Sequence, residues 1–138
     1  MPFSVAVLDE AGYSRLTSTL ATRLVSEAFS QRGFEVDHLG EISVALVEPD
    51  VIHDLNLKFR NKDKPTDVLS FEVDGPYGEM VGEVVICPSY ASPEMGVEDL
   101  VVHGALHLSG MDHGEDFEES EMARVQEAVV GVVGGEKR

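Results

Sequence analysis

Three of the five histidines fall within eleven residues, as His103-Gly-Ala-Leu-His107-Leu-Ser-Gly110-Met-Asp112-His113. Side chains four apart on a helix project from one face, so His103 and His107 can direct two imidazoles at one point. Gly110 then lets the chain turn so that His113 can join them. Three neutral imidazoles bind a divalent ion such as zinc and leave a fourth tetrahedral position for water, an arrangement of hydrolytic rather than purely structural sites. The expectation is one divalent metal, zinc by preference, held by His103, His107 and His113. His38 and His53 have no such neighbours and read as structural histidines.

The spacing His-x-x-x-His-x-x-Gly-x-x-His is also that of metzincin proteases, where a glutamate follows the first histidine and serves as general base. Here that position is Gly104, which argues against proteolysis and leaves metal binding intact. Asp112 is the nearest carboxylate. It can support a ligand histidine by a hydrogen bond, act as a base, or simply stabilise the turn after Gly110.

A second group is basic. Lys58, Arg60, Lys62 and Lys64 place four of the ten cations within seven residues, on a chain whose 10 Lys plus Arg face 26 Asp plus Glu for a net charge of −16. Such a balance repels polyanions and counts against nonspecific nucleic-acid binding. A local strip of cations on an acidic body can still hold phosphoryl oxygens, and guanidinium offers a planar fork for them, so Arg60 is the candidate catalytic cation. Lys58, Lys62 and Lys64 are weaker candidates for contacting a nucleic-acid backbone. Glu115, Asp116, Glu118, Glu119 and Glu121 read as a solvated helix face.

The elements that must position these residues are legible from periodicity. Phe3 to Leu8 reads as a strand, and Ser14 onward as a helix carrying Leu16, Leu20, Leu24, Val25, Ala28 and Phe29 and ending near Gly33. Ile42 to Val47 is a second strand, and a second helix starts at Pro49 and ends near Arg60. Val68 to Val73 and Gly82 to Cys87 form two further strands joined by turn residues from Asp74 to Gly78. Pro88 to Gly96 is a loop, Val97 to Leu108 the histidine helix, and Glu115 to Val133 a last helix stopped by Gly134 and Gly135. The result is an α/β (α+β) domain spanning residues 1–138, with about four strands in a mixed sheet and four helices.

With 138 residues, 43% hydrophobic, the chain can bury one core. No stretch reaches membrane-spanning length, and no leader is read at the start, so a soluble, unexported protein with no membrane partner is expected. A single cysteine, Cys87, suits a reducing cytoplasm and reads as a small core residue.

The segments LNLKFRNKDKPTDVLSF, GEVVI and VVHGALHLSGMDH, in that order from Leu55 to His113, resemble the signature blocks of the YbeY family of endoribonucleases. The last block matches that family's His-Gly-x-Leu-His-Leu-x-Gly-x-Asp-His motif at every fixed position. The resemblance implies a cytoplasmic, zinc-dependent endoribonuclease that cuts single-stranded RNA. It further implies a role in maturing the small-subunit ribosomal RNA 3′ end and in ribosome quality control. By position it makes His103, His107 and His113 zinc ligands and Arg60 the functional arginine of the cleft. Implied partners are single-stranded ribosomal RNA, the ribosome, and a ribosomal protein or GTPase. With no Trp, three Tyr and six Phe, base stacking offers little sequence readout. Whether water or the RNA 2′-OH attacks is left open. Two other functions compete with this one: a metal-stabilised ribosome-assembly factor with little catalysis, which the acidic balance favours, and a metallopeptidase.

Overall fold

Two strands that are apolar on both faces set the middle of the molecule. In β2 (Leu39–Leu46), Ile42, Val44 and Leu46 are buried on one face while Ala45 is buried on the other. In β4 (Met80–Ile86), Val84 and Ile86 face the first side and Val85 the second. Strands buried on both faces belong in the interior of a sheet with parallel pairing, and these two pair in parallel. β1 (Val5–Asp9) adds in parallel beside β2, and β3 (Val68–Asp74) runs antiparallel beside β4. The order is therefore β1-β2-β4-β3 in a mixed four-stranded sheet. The computed structural model describes residues 3–35, 39–74, 80–111 and 120–136.

Helices α1 (Ser18–Gln31), α3 (Val97–Leu108) and α4 (Glu121–Glu136) pack together on one face. Helix α2 (Pro49–Arg60) covers part of the other through Ile52, against Ala45, Val47, Leu69, Val85 and Cys87. This is the expected α/β class, and α2 and α3 have the expected bounds. Cys87 is fully buried, as expected of a core residue.

Three helix boundaries differ from expectation. The first helix begins at Ser18, not near Ser14, because Ser14 sits at φ 62 with its amide on the Asp9 carboxylate, while Thr17 caps the helix by accepting from Leu20 N at 3.0 Å. The last helix begins at Glu121, with Ser120 Oγ accepting from Ala123 N at 3.1 Å. It also runs on to Glu136 through the glycines expected to stop it. Buried Val133 anchors that final turn, and glycine weakens a helix without forbidding one. The acidic run 115–119 and the turn 75–78 lie outside the described residues.

Candidate active site

Helix α3 has almost no solvent-facing side. Val97, Leu100, Val101, Val102, Ala105, Leu106 and Leu108 are all buried, so this helix is held rigidly against the sheet and against α1 and α4. Gly104 permits the close approach. A Cβ there would run into Val84 Cγ1 and lie 2.9 Å from Cγ2 and 3.1 Å from Ser70 Oγ. The Ser70 hydroxyl donates to the Gly104 carbonyl at 3.1 Å, fastening the helix to β3 beside the histidines.

The two imidazoles converge as the spacing requires. His103 Nε2 and His107 Nε2 lie 3.2 Å apart, with the rings edge to face at 4.8 Å between centroids. Their other nitrogens are committed. His107 Nδ1 is 3.0 Å from the Met111 carbonyl, which can only accept, so the proton of that ring is on Nδ1. His103 Nδ1 is 3.0 Å from Gln126 Oε1, while Gln126 Nε2 donates to Met95 Sδ at 3.1 Å, which orients the amide with its oxygen toward the histidine. Both Nε2 atoms therefore turn lone pairs toward the same small region. Facing lone pairs at this distance are tolerated when a proton or a metal ion stands between them, so the donor set fits a divalent cation.

Local sequence explains the Met111 contact. After Ser109 the chain turns through Gly110 at φ +100, with Gly110 N donating to His107 O and Met111 N to Leu106 O, both at 3.0 Å. This is the Schellman helix ending, which favours glycine at its left-handed position and folds the next carbonyl back over the last turn. His113 and Asp112 lie outside the described residues.

The opposite wall comes from the end of α2. Lys58 and Arg60 stand in its last turn, where cations complement the helix dipole. Asn61 takes the left-handed conformation at φ 57. Asn56, 3% exposed, then holds the following loop twice, its carbonyl accepting from Lys62 N at 3.2 Å and its side chain donating to Lys64 O at 2.8 Å. His53 Nε2 meets Asp63 Oδ1 at 2.7 Å on the same loop, consistent with a structural histidine. Arg60 and Lys62 thereby reach a cleft of ≈ 610 Å³ that His103 and His107 also line. Lys58 and Lys64 are exposed on the same segment and do not line it. Asp67 and Glu72 share the cleft, so its positive charge is partly offset.

Over residues 8–134 the chain matches the family described as Endoribonuclease YbeY. It belongs to the YbeY family. A curated relative from Rubrobacter xylanophilus, named Endoribonuclease YbeY, is 70% identical over 136 residues, which cover 98% of this chain and 99% of the relative. The solution structure of TM1509 from Thermotoga maritima is 30% identical, with a TM-score of 0.58 over 97% of this chain and 91% of that one. The YbeY resemblance read from three short blocks thus extends over nearly the whole chain.

Sequence reasoning missed Gln126 and Asn56. Both carried a signal: each interrupts an apolar stripe at helical spacing, Met122-Gln126-Val129-Val133 in one case and Ile52-Asn56 in the other. A buried polar side chain on such a stripe is there for its hydrogen bonds.

Proposed function

We propose that this chain is a metal-dependent endoribonuclease acting on single-stranded RNA. In this reading residues 1–138 form one metallohydrolase domain, His103, His107 and His113 hold a divalent cation, and Arg60 receives the phosphate. Family membership and the name of the Rubrobacter xylanophilus relative support RNA as substrate. The observation that carries the metal reading is the pair of Nε2 atoms 3.2 Å apart on two rings whose Nδ1 atoms both donate elsewhere. Zinc or another divalent cation held by these residues would supply Lewis acidity for hydrolysis of a phosphodiester.

The chain's own residues do the rest. The Arg60 fork takes two phosphoryl oxygens and stabilises charge that grows there during the reaction, while Lys62 adds a second cation along the strand. The loop that follows Arg60 and carries Lys62 is preset by Asn56, so little ordering is left for the moment of binding. Asp112 serves as a base or as a hydrogen-bond support for a ligand histidine. The cleft has polar walls and no aromatic platform among the described residues lining it, which fits backbone recognition with little base readout.

In the cell the proposed substrate is ribosomal RNA, at the small-subunit 3′ end, with a cytoplasmic location, a part in ribosome quality control and a ribosomal protein or GTPase as partner. No described helix is long and apolar enough to cross a membrane. The test is cleavage of single-stranded ribosomal RNA by wild type and by Arg60→Glu, with a substrate whose target 2′-OH is replaced by hydrogen. Cleavage lost in a folded, metal-loaded Arg60→Glu protein supports the reading, and undiminished cleavage refutes Arg60's role. Continued cleavage of the deoxy substrate selects water over the 2′-OH as nucleophile.

The net charge of −16 favours a second reading, an assembly factor stabilised by its metal, which predicts metal binding without RNA cleavage by any variant. The peptidase reading loses ground twice at position 104: glycine supplies no base, and the packing against Val84 leaves no room for a glutamate.

A further inference from the structure

The buried link between α4 and the histidine helix points to a role for Gln126, and the argument rests on the metal reading above. Gln126 is 4% exposed and His103 7%, and their contact joins residues 23 apart in sequence on two different helices. A buried glutamine needs partners for both ends of its amide. Here the nitrogen donates to Met95 Sδ and the oxygen is directed to His103 Nδ1. Met95 precedes α3 in a turn closed by Ser92 and Met95 backbone bonds, so the amide is held from a third segment and cannot rotate without losing a partner. Neutral imidazole has one N–H, and an acceptor fixed at Nδ1 selects the tautomer with that proton on Nδ1. It also fixes the ring's rotation about χ2, and so the direction of Nε2.

We propose that Gln126 is the positioning residue of the metal centre: it holds His103 in the Nδ1–H tautomer, with Nε2 aimed at the point that His107 Nε2 also faces. The Met111 carbonyl does the same for His107, from the backbone. Gln126 is thus the side-chain half of a matched pair of orienting acceptors. Hydrogen-bond partners of ligand histidines typically change metal affinity 10- to 100-fold when lost.

The experiment combines zinc affinity with a spectroscopic reading of the ring. Long-range ¹H–¹⁵N correlation on metal-free wild-type protein, at a pH where the imidazoles are neutral, is expected to show His103 protonated at Nδ1. Finding it protonated at Nε2 overturns the proposal without any variant. Zinc dissociation constants by chelator competition are then compared for wild type, Gln126→Leu and Gln126→Glu. Expected are a loss of about 10- to 100-fold for Leu and wild-type or tighter binding for Glu, which keeps the acceptor. Equal affinity in wild type and Leu, or Glu as weak as Leu, overturns it. Wild-type protein that binds no zinc refutes the metal reading itself, and the tautomer then stands or falls alone. If Gln126→Leu does not fold, the wild-type tautomer and the Glu variant decide.

Discussion

Replacing Gly104 with alanine tests why the histidine helix can lie where it does. In an ordinary helix interior the change stabilises by about 1 kcal/mol, because alanine loses less backbone freedom on folding. Here the added methyl meets both γ carbons of Val84 and the Ser70 hydroxyl. Val84 is fully buried in the central strand β4, and a β-branched side chain packed on all sides has little χ1 freedom, so it cannot readily swing aside. Overpacking of this kind costs about 1 to 3 kcal/mol, and the stiffness of Val84 places it at the upper end. Net of the helix gain, Gly104→Ala is expected to destabilise by about 1 to 2 kcal/mol. The assay is urea unfolding of metal-free protein, followed by circular dichroism, for Gly104→Ala, Val84→Ala and the double variant. Val84→Ala alone costs about 2 kcal/mol in lost burial and cavity. In the double variant the new methyl occupies the space vacated by the old ones, so its destabilisation falls short of the sum by about 1 kcal/mol or more. A Gly104→Ala protein as stable as wild type, or strictly additive effects, refutes the packing argument.

Further expectations follow from the same geometry. Gly110→Ala, at φ +100 with no described neighbour within 4 Å of the added Cβ, costs about 1 to 2 kcal/mol through backbone strain, and by displacing the Met111 carbonyl it weakens zinc binding in a competition assay. Arg60→Glu, at an exposed helix end, leaves the unfolding midpoint nearly unchanged while lowering single-stranded RNA cleavage by about 100-fold or more. Asp9 accepts from the Ser14 and Tyr13 amides, which hold its carboxyl below the ordinary value of 3.8. Its folded-state pKa is depressed, so its contribution is present above 3.8 and is lost as pH falls through the lower folded value. Asp9→Ala therefore makes the acid limb of a stability-against-pH curve shallower, by a small amount because the group is exposed; an unchanged limb contradicts the assignment.

Much of the fold was legible because its signals are local. Pro49 and the apolar positions after it marked α2, and the alternating and doubly apolar runs marked the strands. The histidine spacing, with glycine after it, carried the convergence of His103 and His107 because helix geometry alone brings residues four apart together. What the sequence hid depends on contacts that hydrophobic periodicity does not register. Ser14 looked helical until the Asp9 carboxylate claimed its amide. Gly134 and Gly135 looked like a stop until Val133 was seen packed in the core. The β-strand order, with β4 inserted between β2 and β3, has no local signal at all. At the site, Gln126 and Asn56 passed as incidental polar residues because their partners lie on other segments.

The most direct test of the central claim is RNA cleavage by metal-stripped protein during titration with zinc, with His107→Ala run in parallel. The account predicts negligible cleavage after stripping, recovery that saturates near an equimolar amount of zinc, and no recovery in His107→Ala at that concentration. Full cleavage by the stripped protein, or a His107→Ala variant that cuts as fast as wild type, would contradict it.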